Sequence, residues 1–486
     1  MRTLVCGCLV AWLAVGAAGC KAGRAEVRDE RLAHLDFRQV VADAKDKVFP
    51  AVVYVKCLQE SHELGRKISQ EISASGVIIS PTGEVLTNWH VVERAVEVRC
   101  LLYDGRAMEA AVVGSDKDTD LALIQLKVPA DSPGSTGTPR PGGPPRGHSA
   151  SLMAGEAAGP PLPYAVLGDS DALREGDFVM AMGAPWGLSR SVSIGIVACR
   201  RRFLPEHSQY SLWLQTDASI SPGNSGGPLV NTAGEIVGVN TRGVMMGGDM
   251  GFAVPSATIR HLVDQIRRYG KANWSWTGLQ LQPLKDFDKN IYFEGNEGVI
   301  VAETDPESPA RHAGLQARDR ILRIGGRPVT AMTDEDLPAI RLALALLPKH
   351  EAVAIDLLRN GEPLAVELEP REKGKVEGEQ LDCPRWDFTL REVNRFDNPD
   401  LFFYREKGVF VFGVKEPGNA AEAGLQAGDI LIRIDAKDVS TLEEVRDLHK
   451  AALENLPAKH RVILTVLRAG LMRQIVLDFA RDYSKE

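Results

Sequence analysis

A serine able to act as a nucleophile stands out within residues 216–231, "TDASISPGNSGGPLVN". A serine hydroxyl attacks a carbonyl only when an imidazole takes its proton, and the imidazole needs a carboxylate to fix its tautomer and stabilise its charged form. The oxyanion that develops needs preformed backbone donors. Around Ser225 the last requirement is met by composition: glycine at 223 lets the amides of Gly223 and Ser225 point the same way, and Gly226 and Gly227 allow close backbone approach behind them. Taken alone, the motif suits a glycine-rich turn equally well. His90, at the end of the strand-like "LTNWHVV", and Asp120, opening "DLALIQL", supply the missing base and acid.

The elements that must position these groups are short and β-branched. Residues 48–126 read as alternating strands broken by turns, and the pattern returns from "YAVLGDSD" to "MGFAVP". Between them, residues 129–163 are rich in proline, glycine and serine and read as a disordered connector whose length costs little closure entropy. Two β-rich halves imply two packed barrels, with His90 and Asp120 from the first and Ser225 from the second meeting in the cleft. The chain order His, Asp, Ser is that of the chymotrypsin-like double barrel. A helix over 256–270, with Ser256 as N-cap and Gly270 as stop, places Ile259, Leu262, Val263 and Ile266 on one face.

The remainder is duplicated. "GVIVAETDPESPARHAGLQARDRILRIGGRPV" (298–329) aligns without a gap to "GVFVFGVKEPGNAAEAGLQAGDILIRIDAKDV" (408–439), and Trp276 and Trp386 keep the same spacing. Each copy is a small α+β domain of about 100 residues, a size ample for its own core. The charged run "EKGKVEGE" joins them.

A net charge of −8 gives no basic stripe for nucleic acid, and nothing in the sequence calls for a metal or organic cofactor. The N-terminus, "MRTLVCGCLVAWLAVGAAGC", has one basic residue, an apolar run too short for a membrane span and small residues at its end, the layout of an export signal. It is cleaved either as an ordinary signal or at Cys20, which a bacterial lipoprotein site would lipidate. Cys57, Cys100, Cys199 and Cys383 then remain, and export permits disulfides or free thiols.

The segments "TNWHVV", "DKDTDLALIQL", "VLGDSDALREGDFVMAMGAPWGL" and "TDASISPGNSGGPLVNTAGEIVGVNT" resemble the HtrA (Deg) family of serine proteases, and the two repeats resemble its PDZ domains. The resemblance covers nearly everything after residue 36. It implies a mainly β protein, a trypsin-like double-barrel protease domain followed by two PDZ-like domains. The expected organisation is a signal at 1–20, a tether at 21–38, the protease at 39–270, PDZ copies at 274–371 and 381–483, and a linker at 372–380. It further implies His90 as general base, Asp120 as its orienter, Ser225 as nucleophile, and Gly223 and Ser225 amides as the oxyanion hole.

Trypsin-like proteases that cut after Arg or Lys carry an acid six residues before the nucleophile. Here Ser219 followed by Ile220 predicts a small apolar pocket. Ser221 stands where the family usually has asparagine, which predicts altered loop packing. The loop around Gly278, Leu279 and Gln280 resembles the PDZ loop that captures a peptide carboxylate, with the peptide added as a strand. The second copy has "WDFTLRE" there and no glycine, so it either binds differently or serves packing and oligomer contacts.

The implied protein is an exported, ATP-independent endopeptidase of the bacterial periplasm or envelope. Its partners would be misfolded or unassembled proteins and C-terminal peptides, and its assembly a homotrimer or larger. A protease dedicated to one signalling substrate, and a chaperone or scaffold on an inactive protease fold, are the rival readings.

Overall fold

A computed structural model describes residues 36–128, 161–185, 189–204, 208–245, 249–287, 296–374, 377–456 and 458–483. The expected signal with Cys20, most of the tether, and nearly all of the 129–163 connector lie outside the described residues. After helix α1 (Phe37–Val48), strands β1 (Val52–Ser61), β2 (Ile68–Ile78), β3 (Glu84–Thr87), β4 (Ala95–Leu101), β5 (Ala107–Asp116) and β6 (Leu121–Leu126) close a barrel in the order β1-β2-β3-β6-β5-β4. A short helical turn, α2 (Trp89–Val92), interrupts it after β3. Strands β7 (Phe178–Gly183), β8 (Ser191–Phe203), β9 (Leu212–Thr216), β10 (Pro228–Asn231), β11 (Ile236–Met245) and β12 (Asp249–Pro255) close a second barrel, in the order β10-β11-β12-β9-β8-β7.

The two-residue period of a strand serves two cores at once. On β7, Val179 and Ala181 point into the second barrel, whereas Met180 and Met182 join the larger core that runs through the first. Helix α3 (Ser256–Tyr269) closes the domain by burying Ile259, Leu262, Val263 and Ile266, each contributing about 1.5–3 kcal/mol of hydrophobic stabilisation. Gly270 ends it in the left-handed region at φ +70, its amide donating to Ile266 O at 2.8 Å. Ser256 is not the N-cap. It is the first helical residue, behind Pro255, and its hydroxyl donates to Gly168 O at 2.7 Å and accepts from Ser170 N at 3.0 Å, tying down the 168–170 loop.

The first repeat contains β13 (Ser275–Trp276), β14 (Leu279–Gln282), β15 (Val299–Thr304), α4 (Pro309–His312), β16 (Arg320–Ile324), β17 (Arg327–Pro328), α5 (Leu337–Ala345), β18 (Val353–Arg359), β19 (Glu362–Leu368) and β20 (Arg371–Glu372). The second contains β21 (Gln380–Cys383), β22 (Phe388–Glu392), α6 (Pro399–Tyr404), β23 (Val409–Val414), α7 (Asn419–Glu422), β24 (Ile430–Ile434), β25 (Lys437–Asp438), α8 (Leu442–Glu454), β26 (Arg461–Arg468) and β27 (Leu471–Asp478). Both copies pin the loop before their central strand with one forked ion pair. Arg359 reaches the buried Asp319 at 2.8 and 2.7 Å, and Arg468 reaches the buried Asp429 at 2.5 and 2.6 Å.

The copies differ at one edge. In the first, β14 pairs with β15 and with no other described strand. In the second, the equivalent β22 is flanked by β23 on one side and by β21 on the other, antiparallel with Cys383 opposite Phe388 and Gln380 opposite Arg391. The protease also reaches this copy: the hairpin between β1 and β2 lies on it, with Thr389 Oγ1 donating to His62 O and Gly413 packed where a Cβ would come within 2.1 Å of Glu63 O. All four described cysteines are free thiols. Burial pushes the Cys57 thiol up to about 11 and that of Cys100 to about 12.

Candidate active site

Asp120 ends the turn 117–120 between β5 and β6, in the left-handed region at φ +53. A non-glycine residue there is strained, and its surroundings must hold it. Asn88 Nδ2 donates to its carbonyl at 3.0 Å, and Asp116 fastens the turn from within by accepting from Thr119 N at 3.1 Å and Thr119 Oγ1 at 2.7 Å. The Asp120 carboxylate, 9% exposed, then meets His90 Nδ1 with both oxygens at 2.9 Å. It also accepts from His90 N at 3.2 Å and from Thr241 Oγ1. Such a contact leaves the proton on Nδ1 and the other ring nitrogen free to act as a base. His90 sits on α2 rather than at a strand end: β3 stops at Thr87, and the helical turn swings the ring, 28% exposed, to the barrel mouth.

Ser225 comes from the second barrel, on the turn before β10. Gly223 takes φ +98 and Gly226 φ +82, conformations that favour glycine. A Cβ on Gly226 would lie 2.1 Å from Ser75 O, and one on Gly227 2.1 Å from Met182 O. Backbone bonds from Ser75 N to Ser225 O and from Gly226 N to Asn240 O, both 2.8 Å, stitch the turn to both barrels. Ser75 adds its side chain, accepting from Ala184 N at 2.8 Å and donating to Gly223 O at 2.6 Å, which orients the peptide after Gly223. Among the described residues the amides of Gly223 and Ser225 donate to nothing, so both are available to an anion.

The Ser225 hydroxyl has one proton, and it is directed at Thr241 O, 2.8 Å away, rather than at His90. The imidazole and the carboxylate are therefore joined while the Ser225 proton is held by the backbone. To act as a nucleophile, the Ser225 hydroxyl would have to turn from Thr241 to the imidazole. Thr241, Ser75 and Asn88 were out of reach of the sequence reading, because each is an ordinary polar residue on or beside a strand. Only the fold reveals which hydroxyls and amides face the turn.

Near Ser225 in the chain, Ile220 is half-buried against the second barrel's core and fits over Gly251, where a Cβ would come within 2.7 Å of its Cδ1. The exposed Ser219 offers its carbonyl to Ser193 Oγ at 2.6 Å. The nearby carboxylate of Asp217 is taken by Ile196 N at 2.7 Å.

The Gly278 loop lines a groove of about 680 Å³ bounded by β14, by Arg341, Leu344 and Ala345 of α5, and by Asp118, Tyr210 and Lys373 at the protease. Gly278 has φ +70, and a Cβ there would collide with Ser308 Cβ at 2.2 Å. Leu279 is on β14, and Gln280 is held by Asp305 at 2.8 Å. Phe396 and Phe402 of the second copy close the far end. The matching groove of the second copy is filled by its own chain. β21 lies along β22, and His449 of α8 bonds to Pro384 O at 2.8 Å.

Residues 74–239 match the trypsin-like peptidase domain family, and residues 300–359 and 410–468 each match the PDZ domain family. A probable periplasmic serine endoprotease, DegP-like, of Halomonas elongata is 33% identical over 84% of this chain and 79% of its own. The periplasmic serine endoprotease DegP of Salmonella typhimurium is 32% identical over 77% of this chain and 71% of its own. The periplasmic pH-dependent serine endoprotease DegQ of Escherichia coli is 30% identical over 84% and 85%. Among solved structures, the HtrA-type protease AlgW with decapeptide superposes with a TM-score of 0.55 at 28% identity, covering 69% of this chain and 99% of that one.

Proposed function

The chain belongs to the HtrA family of DegP-like serine endoproteases, and with that as premise we propose that it cleaves misfolded or unassembled proteins of the bacterial periplasm through an acyl-enzyme at Ser225. The observation that carries this reading is the Asp120 carboxylate held on His90 Nδ1 beside a glycine-built turn whose Gly223 and Ser225 amides are unengaged. As Ser225 Oγ bonds to the scissile carbonyl carbon, His90 Nε2 takes its proton and the two amides receive the oxyanion. The carbonyl reforms, the C–N bond breaks, and His90 returns the proton to the leaving amine. Water, deprotonated in turn by His90, then releases the acid.

Nothing in this cycle calls for ATP, metal or organic cofactor. The apolar Ile220 and the lack of a free acid at Ser219 favour cleavage after small apolar residues. The open edge of β14 and the Gly278 loop suit an added peptide strand ending in a free carboxylate, so we assign C-terminal peptide binding to the first PDZ domain. The ring pair of Phe37 and Phe178, 4.8 Å apart and both exposed, is the kind of surface a homo-oligomer covers, in keeping with a trimer or larger. Export, with or without a lipid on Cys20, completes the reading.

A fluorophosphonate probe on the full chain tests it, with unfolded model proteins as substrates. Labelling at Ser225 and many cuts after small apolar residues are expected. An unlabelled Ser225 would sink the protease assignment, and intact unfolded chains would sink the quality-control assignment.

A further inference from the structure

The turn that carries Asp120 is gripped from outside the two barrels. Asp116, Lys117 and Asp118 are consecutive, and each side chain is taken by a residue beyond α3. Trp274 Nε1 donates to Asp116 Oδ1 at 3.0 Å. Lys117 Nζ reaches Glu377, in the link between the PDZ domains, at 2.8 Å and Asp397, in the second PDZ domain, at 3.4 Å, and stands 5.4 Å from the ring centre of Trp89, the neighbour of His90. Lys373, from the link between the PDZ domains, donates to Asp118 Oδ2 at 2.5 Å and to Tyr210 Oη at 3.0 Å.

Lys373 is only 10% exposed and Asp118 18%, so the pair is largely buried, in the wall of the groove that the Gly278 loop also lines. The Tyr210 and Phe396 rings flank the ammonium at 4.9 and 5.2 Å, and Lys373 N donates to Trp274 O at 2.9 Å. From this geometry we infer that Lys373 is a positioning residue for the catalytic acid. By pairing with Asp118 it holds the 117–120 turn in the strained conformation that presents Asp120 to His90.

The physical need is local. Asp116 and Asp118 are like charges two residues apart, close enough that Asp118 helps hold the buried Asp116 carboxyl above the usual range, behind burial itself. Without the ammonium, Asp118 is driven toward water, and it is joined through Thr119 to Asp120. A shift of about 1 Å at a catalytic group is enough to cost roughly 100-fold in rate. The pairing also ties catalytic competence to the docked position of the link between the PDZ domains, since Lys373 reaches Asp118 only when that link lies against Trp274 and Tyr210.

The inference rests on Asp120 being the catalytic acid, and the test separates the two. kcat and KM are measured on the full chain with a peptide valine-p-nitroanilide, per Ser225 titrated by a fluorophosphonate, for wild type, Lys373→Met, Asp118→Asn, their double variant and Asp120→Asn. Lys373→Met and Asp118→Asn should each lower kcat roughly 10–100-fold with KM within about twofold, and the double variant should be no worse than the poorer single one. Losses that multiply in the double variant, or a folded Lys373→Met with wild-type kcat, would overturn the proposal. If Lys373→Met fails to fold, Asp118→Asn carries the same test, because it removes the charge and keeps the lysine. An active Asp120→Asn would instead remove the premise, whatever the lysine does.

Discussion

Ser225 donates its hydroxyl proton to the carbonyl of Thr241, while the hydroxyl of that same Thr241 donates to Asp120. One residue of β11 thus holds both the Ser225 hydroxyl and the Asp120 carboxylate. Thr241→Val keeps the shape and the carbonyl but removes one donor from a carboxylate 9% exposed. Hydrogen bonds to charged groups are worth about 1.5–3 kcal/mol, so a fall in kcat of roughly tenfold or more is expected. Thr241→Ser, which keeps the hydroxyl, should stay within about threefold. Steady-state kinetics on a small peptide decides it, and equal losses in both variants would show that the methyl matters more than the bond.

Asp120→Asn should be far more severe. An amide can present a donor where His90 Nδ1–H needs an acceptor, so the ring takes the wrong tautomer and turnover falls on the order of 10⁴-fold. Ser225→Ala should abolish cleavage and probe labelling while leaving thermal unfolding and peptide capture by the PDZ region unchanged. The ranking Ser225, then Asp120, then Asp118 is the informative outcome. A crippling Asp118→Asn beside a mild Asp120→Asn would mean the wrong carboxylate had been assigned.

The barrels and the repeats were legible because their signals are local. Alternating β-branched residues mark strands, and the 110-residue spacing of the copies survives without a gap through 32 residues of sequence. The site was legible in part. Gly226 and Gly227 record close backbone approach and Gly223 a positive φ, which any reader of the sequence can use. The role of Thr241 is invisible there, because it depends on two groups of one residue facing different neighbours across the barrel seam. His90 was misplaced onto a strand because "LTNWHVV" is apolar enough for one, and four residues of helix carry no periodic signal. Lys373 was hidden most deeply. It lies in a run of charge that reads as a solvated linker, and only the fold shows its ammonium under Tyr210 and Phe396.

The PDZ copies should differ in stoichiometry. The first offers an unpaired β14 edge and the Gly278 loop, whereas β21 already occupies β22 in the second with the polarity a bound peptide would take. Titration of the full chain with a peptide bearing an apolar C-terminus should give one site per chain. Gly278→Val should abolish it, since the position requires φ +70 and a Cβ would overlap Ser308. Two equivalent sites per chain would show that β21 leaves its groove.

A last expectation concerns pH. Burial, reinforced by Asp118, raises the Asp116 carboxyl to about 6, against 3.8 for a free aspartate. A group whose folded value lies above its unfolded one favours the folded state when protonated. Its stabilising effect is therefore fully present below about 4, declines as pH rises between the two values, and is gone above about 6. Many other carboxylates titrate in the same window, so the quantity to read is a difference. The thermal midpoint of wild type minus that of Asp116→Asn should increase as pH falls from 7 to 4. Asparagine cannot mimic the protonated acid perfectly, because an amide oriented to accept from Thr119 points its NH₂ at Trp274 Nε1–H. That mismatch is independent of pH and shifts the whole curve without changing its slope. A flat difference across the range would place the Asp116 carboxyl in an ordinary, solvated environment and would loosen the grip of Trp274 on the catalytic turn.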